Sequence, residues 1–451
     1  MARRLATAAI AAGLVAVAAT AAGCGSSGSG DPNTIKIAYQ KFGNYIQGDA
    51  LFKKVKAQWE KANPGKKVTL VPIQGNDADY KTKLSLMQKS PSTAPDVLYE
   101  DTFTIASDVQ AGYLAPLDTY VSKWADWSQF VASSKGSVTG QDGKVYGIPM
   151  GTDTRGLWYN KQIFAKAGLP TDWQPKTWND LLTAARTIKA KVPGVIPLNV
   201  YVGKAGGEQS SMQGHEMLLY GTENKLYDDK TKKWIAPSKG FSDALGFVKT
   251  VYGEGLGPTP QQALSPSIGT QVGGTLLPKG KLAIDLDGSW MPQTWISTGA
   301  SPWPQWSQVM GTAAMPTQNG QAPGKVSMSG GWTLAVGNKS TKKDLAFSFI
   351  STALNKENSL YYDINATQIP VRTDVANDPT YGKGDPTAKF FASLVPITNY
   401  RPALPPYPQI SNEIQVAQES VVSGQATPET ATSTYANSVK GIVGANSVTA
   451  S

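Results

Sequence analysis

From Thr34 onward the chain alternates between two apolar periods, and after Pro149 the alternation starts again. Thr34–Tyr39 alternates like a strand, and Leu51, Phe52, Val55 and Trp59 then recur at helical spacing until Asn63-Pro64-Gly65 stops them. Val68–Ile73 predicts a second strand, Tyr80–Lys89 a helix, and Pro95–Tyr99 a short buried strand followed by a helix ending near Gly112. Beyond Pro149 the pattern predicts helices over 161–168, 177–191, 210–220, 238–252, 342–353, 409–423 and 428–443. Strands are predicted over 195–201, 283–286, 309–313 and 332–336, and Thr177 to Asp180 reads as a capping box. Strands separated by helices fold most economically as a mostly parallel sheet covered by helices, an α/β class. A length of 451 residues exceeds what one hydrophobic core usually serves, so the doubled pattern predicts two lobes. With 40% apolar and 17% charged residues, wholesale disorder and a polytopic membrane protein are both excluded.

The first 23 residues have a different character. Arg3 and Arg4 precede an uncharged, Ala-rich run from Leu5 to Ala22, and Ala21-Ala22-Gly23 leads into Cys24, the only cysteine. This resembles a bacterial lipoprotein export signal, in which the cysteine becomes the lipidated N-terminus. Here Ala21 stands where such signals more often carry Leu. The alternative is a transmembrane anchor, since about 18 apolar residues approach the lower limit of a span. Both readings put the rest of the chain outside the membrane. Residues 24–33 are a polar tether built of Gly, Ser, Asp, Pro and Asn.

The formal charge is +9, and +7 once Arg3 and Arg4 are removed with the signal. Basic residues are scattered; Lys53-Lys54 and Lys66-Lys67 are pairs rather than a stripe, which argues against nucleic-acid binding. One cysteine cannot make an internal disulfide, and one histidine, His215, excludes a His-cluster metal site. No metal or cofactor is expected. His215 lies in a helix-like stretch and reads as structural.

In two α/β lobes the residues just after the strands face the interlobe crevice, where ligands bind. Those residues are Glu100, Asp101 and Thr102; then Gly151 to Arg155; then Asp287 to Trp290; and Ser329 to Gly331 before the Trp332 strand. Arg372 lies near a crossover. Carboxylates, arginine, small hydroxyls and tryptophan suit a carbohydrate. An indole covers the C–H face of a pyranose, while Asp, Glu and Arg hold neighbouring hydroxyls in bidentate fashion. Twelve tryptophans fit that chemistry, although Trp59, Trp124, Trp127, Trp173 and Trp178 read as packing or surface. Asp153 and Arg155 are either pocket groups or a structural ion pair. Glu100 and Asp101 are either binding groups or caps of the next helix. Asp285 and Asp287 share a sheet face and raise the alternative of a glycoside-cleaving carboxylate pair.

Four stretches resemble the extracellular solute-binding proteins of bacterial ABC importers, in the sugar-binding branch that includes maltose-binding protein. They are Ala94–Tyr99 with Gly112–Leu117; Asp142–Pro149 running on to Leu157–Lys161 and Lys176–Trp178; Gly280–Ile284 with Gly288–Trp290; and Gly330–Val336 with Lys342–Phe347. The resemblance covers most of the chain after the tether. It implies a two-lobed periplasmic-binding-protein fold of the Venus-flytrap type and a non-enzymatic monomer, lipid-anchored outside the cytoplasm. Such a protein hands a carbohydrate ligand to the transmembrane subunits of an ABC permease. Carried over by position, Asp153 matches a hydroxyl-binding carboxylate, Trp290 an aromatic platform, Glu100 and Asp101 a binding loop, and Gly331 and Trp332 a cleft-lining turn. Gln40, Glu208 and Arg372 are further matches, and Arg155 joins the set from its place after the strand. The implied lobes are 34–151 plus 317–366 and 152–316 plus 367–451. Gly203–Met212 and the Pro-rich Arg401–Pro408 depart most from the family pattern. Two other readings stay open: a secreted carbohydrate-active enzyme, and the same fold binding a non-sugar solute.

Overall fold

The computed structural model describes residues 31–451, so the signal segment, Cys24 and most of the tether lie outside the described residues. The first sheet runs in the order 67–74, 34–41, 97–101, 332–336, 148–149. The strand Thr34–Lys41 pairs in parallel with Lys67–Gln74 throughout and with the next strand at Ile37↔Val97. Leu51, Phe52, Val55 and Trp59 form the buried stripe of the helix Gln47–Ala62. Each such side chain contributes about 1.5–3 kcal/mol by leaving water. The second sheet runs 310–313, 155–160, 282–288, 196–199. Its flanking helix Trp178–Lys191 opens on the predicted capping box: Thr177 Oγ1 accepts from Asp180 N–H at 3.2 Å, and Asp180 Oδ2 accepts from Thr177 N–H at 3.0 Å. A carboxylate one methylene shorter than Glu therefore still reaches back.

The sheets are less parallel than the alternation predicts. Trp332–Val336 pairs antiparallel with both Val97–Asp101 and Ile148–Pro149. In the second sheet only the 196–199 and 282–288 strands are parallel; Arg155–Asn160 is antiparallel to both of its neighbours. The cause is the path between lobes. A segment arriving from the other lobe enters at the cleft end and runs outward, opposite to the resident strands that run toward the cleft. Residues 210–220, predicted as an ordinary helix, are π-helical over Gln209–Glu216 and α-helical only at Met217–Leu219.

The buried clusters trace the crossings. Met150 belongs to the first lobe's core and Leu157 to the second's; Met328 belongs to the second and Leu334 to the first. Val326 and Met328 pack in the second lobe, where Lys325–Ser329 pairs with Thr398–Tyr400, so we place that crossing at 329–331 instead of near 316. Ala366 and Val371 pack in the first lobe, with Ile369 between them in the second lobe's core. At the crossings the segments bond directly: Thr152 N–H to Ile369 O at 2.9 Å, Ile369 N–H to Thr152 O at 2.8 Å, and Thr152 Oγ1 to Gly330 O at 2.9 Å. No helix of the described residues is long and apolar enough to cross a membrane.

Candidate functional site

The register of the two sheets assembles the site. Asp101 ends its strand directly opposite Trp332, and Arg155 begins its strand opposite Gly288, two residues before Trp290. Between the lobes Asp101, Arg155, Trp290 and Trp332 line one cavity of about 130 Å3. Gln40, Asp101, Asp153, Arg155, Glu208, Trp290, Gly331 and Trp332, all singled out in the sequence, lie on its wall.

Trp332 stacks on Tyr99, with ring centroids 4.2 Å apart and planes 5° from parallel. Trp290 lies under the Arg155 guanidinium, whose Cζ is 4.6 Å from the ring centroid. The same guanidinium donates through Nη1 to Asp153 Oδ1, and Gly330 N–H donates to that oxygen at 2.9 Å. The two readings of Asp153 and Arg155 are thus compatible: they form an ion pair, and the pair faces the pocket. Gly331 has φ of +152°, and a Cβ there would lie 2.5 Å from Gly151 O, so only glycine lets the two crossing segments approach this closely.

Two site expectations are corrected. Glu100 is buried in the first lobe and absent from the cavity wall; its Oε2 accepts from Thr104 Oγ1 at 3.0 Å. Side chains alternate along a strand, so when Tyr99 and Asp101 face the cleft Glu100 faces the opposite side. Burial, then the neighbouring Asp108 carboxylate, pushes the Glu100 carboxyl well above its usual range. Arg372 is also away from the cavity. It is buried in the first lobe, with Nη2 2.7 Å from Asp374 Oδ2 and Nη1 3.0 Å from Asp126 Oδ2, which makes it a brace. Asp285 and Asp287 do share a strand face, but both are fully buried beneath the cavity, held by Asn199 and Tyr201 at 2.9 Å each. His215 is fully buried against Phe241, and burial depresses its pKa to about 3.

Several wall residues were not anticipated from the sequence. Arg401, in the Pro-rich stretch, donates to Asp101 Oδ1 at 2.5 Å and to Glu208 Oε2 at 3.2 Å, joining the first lobe's strand to the second lobe's helix. Burial works against its charge, but Asp101 and Glu208 outweigh burial and hold the guanidinium protonated. Asp77, three residues beyond the second strand and the first residue of the next helix, also lines the cavity; Gln40 Nε2 donates to it at 3.0 Å, and burial raises its pKa. Its place beyond a strand's carboxyl end is the same signal that marks Asp101, and applied to the second strand it points to Asp77. Phe42, Tyr45, Phe52 and Tyr362 add aromatic wall from the first lobe; Met212 and Gln213 add the π-helical face of the second.

The lobes are closed on each other. Asn44 Nδ2 donates to Thr270 O at 3.0 Å, and Gln47 Nε2 to Thr298 O at 3.1 Å. Both wall arginines are engaged by carboxylates, so the pocket offers ion-paired forks and aromatic faces without an excess of positive charge.

Two helix-flanked lobes, each built on its own main sheet, with a pocket walled by both define the class of two-lobed binding proteins. Residues 43–359 match the family model of the bacterial extracellular solute-binding proteins, and the chain belongs to that family. It is similar to the galactooligosaccharide-binding protein of Bacillus subtilis, 24% identical over 356 residues, 79% of this chain and 78% of that one. The lactose-binding protein of Rhizobium radiobacter is 22% identical over 324 residues, covering 70% and 69%. Among solved structures, maltose-bound T. maritima MalE3 matches with a TM-score of 0.78 at 21% identity, covering 91% of this chain and all of that one. A Thermotoga lettingae solute-binding protein bound with α-D-tagatose matches with a TM-score of 0.78 at 24% identity, covering 91% and 99%.

Proposed function

We propose that this protein is the solute-binding component of an ABC importer and that its cleft takes an uncharged sugar, a saccharide or short oligosaccharide, for delivery to a membrane permease. The observation that carries this reading is one pocket holding both Trp290 and Trp332 beside the Asp153–Arg155 and Asp101–Arg401 forks. Flat indoles suit the C–H faces of a pyranose, and the forks suit its rim of hydroxyls. The cavity accommodates a single ring, with any further rings toward its open side. The names of the relatives agree with a sugar.

Closure is the functional step. A ligand touching Asp101 and Trp332 on one lobe and Asp153 and Trp290 on the other binds the closed state better than the open one, and so shifts the population toward it. The permease reads the closed shape. Lipidation at Cys24 would keep the receptor at the membrane surface, as a monomer acting without catalysis.

The test is thermal shift and tryptophan fluorescence across neutral mono- and oligosaccharides. Saturable stabilisation by at least one is expected. Silence across the panel, together with stabilisation by an amino acid, peptide or polyamine, rejects the sugar reading.

A further inference from the structure

The loop after the strand Val97–Asp101 carries one apolar residue that does not pack with its neighbours. Tyr99 and Ile105, on either side of it, belong to the first lobe's core. Phe103, only 3% exposed, belongs instead to the cluster built on the second lobe's helices Lys239–Gly253, Tyr407–Val422 and Pro428–Val443. Every other buried member of that cluster comes from 219–245 or 407–439, so Phe103 is the one first-lobe side chain seated there among the described residues. Its ring meets the Tyr407 ring edge to face, with centroids 5.6 Å apart.

Both parts of this contact are fixed from behind. Phe103 N–H donates to Asp101 Oδ1 at 3.3 Å, Thr104 Oγ1 to Glu100 Oε2 at 3.0 Å, and Thr102 N–H to Gly331 O at 3.1 Å, which holds the loop to the first lobe's strand ends. Across the cleft, Tyr407 O–H donates to Glu216 Oε1 at 2.5 Å and so orients the socket's ring. Cations approach the Phe103 ring from both lobes: Lys81 Nζ of the first lies 3.2 Å from its centroid, and Arg401 Cζ of the second 4.3 Å. The ring attracts each of them, while the carboxylates of Glu208, Asp101 and Asp77 offset the repulsion between the two. Phe103 is absent from the wall of the sugar pocket. The contact therefore depends on the lobes being together and not on what lies between them. Swinging the lobes apart returns the Phe103 ring and its seat against Tyr407 to water, at a cost set by the apolar area uncovered.

We propose that Phe103 is a knob that catches the second lobe, populating the closed arrangement independently of ligand and so scaling the affinity for every ligand by one common factor. It is a positioning residue, acting through closure and through Arg401 without touching the guest. A contact that favours the closed state by a given factor lowers the apparent dissociation constant of any ligand by about that factor while the open state predominates. The inference rests on the closing cleft described above, but not on the guest being a sugar.

The test is small-angle scattering of the full chain without ligand, in native, Phe103→Leu, Phe103→Val and Phe103→Ala forms. The native chain is expected to contain a measurable closed fraction. The ratio of closed to open molecules should fall about tenfold or more in Phe103→Ala, as the loss of a buried aromatic side chain implies. It should fall less in Phe103→Val and least in Phe103→Leu, which refills most of the seat. Thermal unfolding of the same variants is the control, because a ring that merely packs within a lobe lowers the melting temperature and leaves the scattering unchanged. Phe103→Val keeps the comparison should Phe103→Ala fail to fold. A native chain found only open, or a closed fraction indifferent to these truncations, overturns the proposal. No sugar is added, so neither outcome bears on whether the pocket binds one, and the two readings fail separately.

Discussion

Arg401 reaches from the second lobe to Asp101 at the end of a first-lobe strand, with Nη2 2.5 Å from Oδ1, and its other amino group lies 3.2 Å from Glu208. The ion pair therefore exists only while the lobes are together. It acts as a latch whose strength sets part of the closure equilibrium.

Removing the latch leaves Asp101 and Glu208 with only the Lys81 ammonium as a nearby counter-charge, and truncating one member of a buried charge pair costs about 2–5 kcal/mol. Arg401→Ala should weaken sugar binding by about thirtyfold or more, equivalent to roughly 2 kcal/mol. Small-angle scattering of the variant should show a more open form at the same ligand concentration. Unchanged affinity would show that the latch is incidental to closure.

Trp290→Ala removes an aromatic platform and also the surface on which Arg155 rests. A platform of this kind contributes on the order of 2 kcal/mol, so affinity should fall roughly thirtyfold. Trp290→Phe, which keeps a smaller face, should lose much less. Fluorescence titration against a fixed sugar distinguishes the two variants.

Two adjacent buried groups give opposite pH slopes. Burial, only partly offset by the Tyr407 hydroxyl, lifts the Glu216 carboxyl to about 8. Between its ordinary 4.5 and about 8 the folded protein holds a proton that the unfolded chain has released, so stability falls as pH rises, by about 1.4 kcal/mol per pH unit from this group. His215 is depressed from 6.5 to about 3. In that window the unfolded chain holds the extra proton, so stability rises with pH. Glu216→Gln should therefore be more stable relative to the native protein at pH 8 than at pH 5, read from urea unfolding. An equal difference at both values would show that Glu216 is already ionised at pH 5.

Gly331→Ala places a methyl against the Gly151 carbonyl at a backbone angle that L-residues avoid. Backbone cannot yield as a flexible side chain can, so the loss should be about 2 kcal/mol or more. Gly441→Ala is the control: it lies within the helix Pro428–Val443 with nothing near its Cβ position, and should gain about 0.5–1 kcal/mol. Thermal unfolding of both variants tests the pair.

Most elements were legible because their signals are local. The stripe of Leu51, Phe52, Val55 and Trp59 and the cap at Thr177 depend on neighbours a few residues away. The sense of the strands was not legible, because it depends on which lobe a segment arrives from. Residues following strands, such as Asp101, Asp153 and Trp290, were found because strand ends face a cleft. Glu100 was misplaced by one step of strand alternation, and Arg372 because a crossover residue was assumed to face the crevice. Arg401 was missed for a different reason: it sits in an irregular Pro-rich segment, and its carboxylates are about 200 and 300 residues away, so nothing periodic marks it.

The most direct measurement is a crystal structure with the tightest-binding neutral sugar. A ring lying flat on Trp290 or Trp332 is expected, with hydroxyl groups within about 3.2 Å of the carboxylates of Asp153 and Asp101. A guest bound outside the cavity shared by these four residues, or one held there only through a charge of its own, would contradict the sugar-binding role.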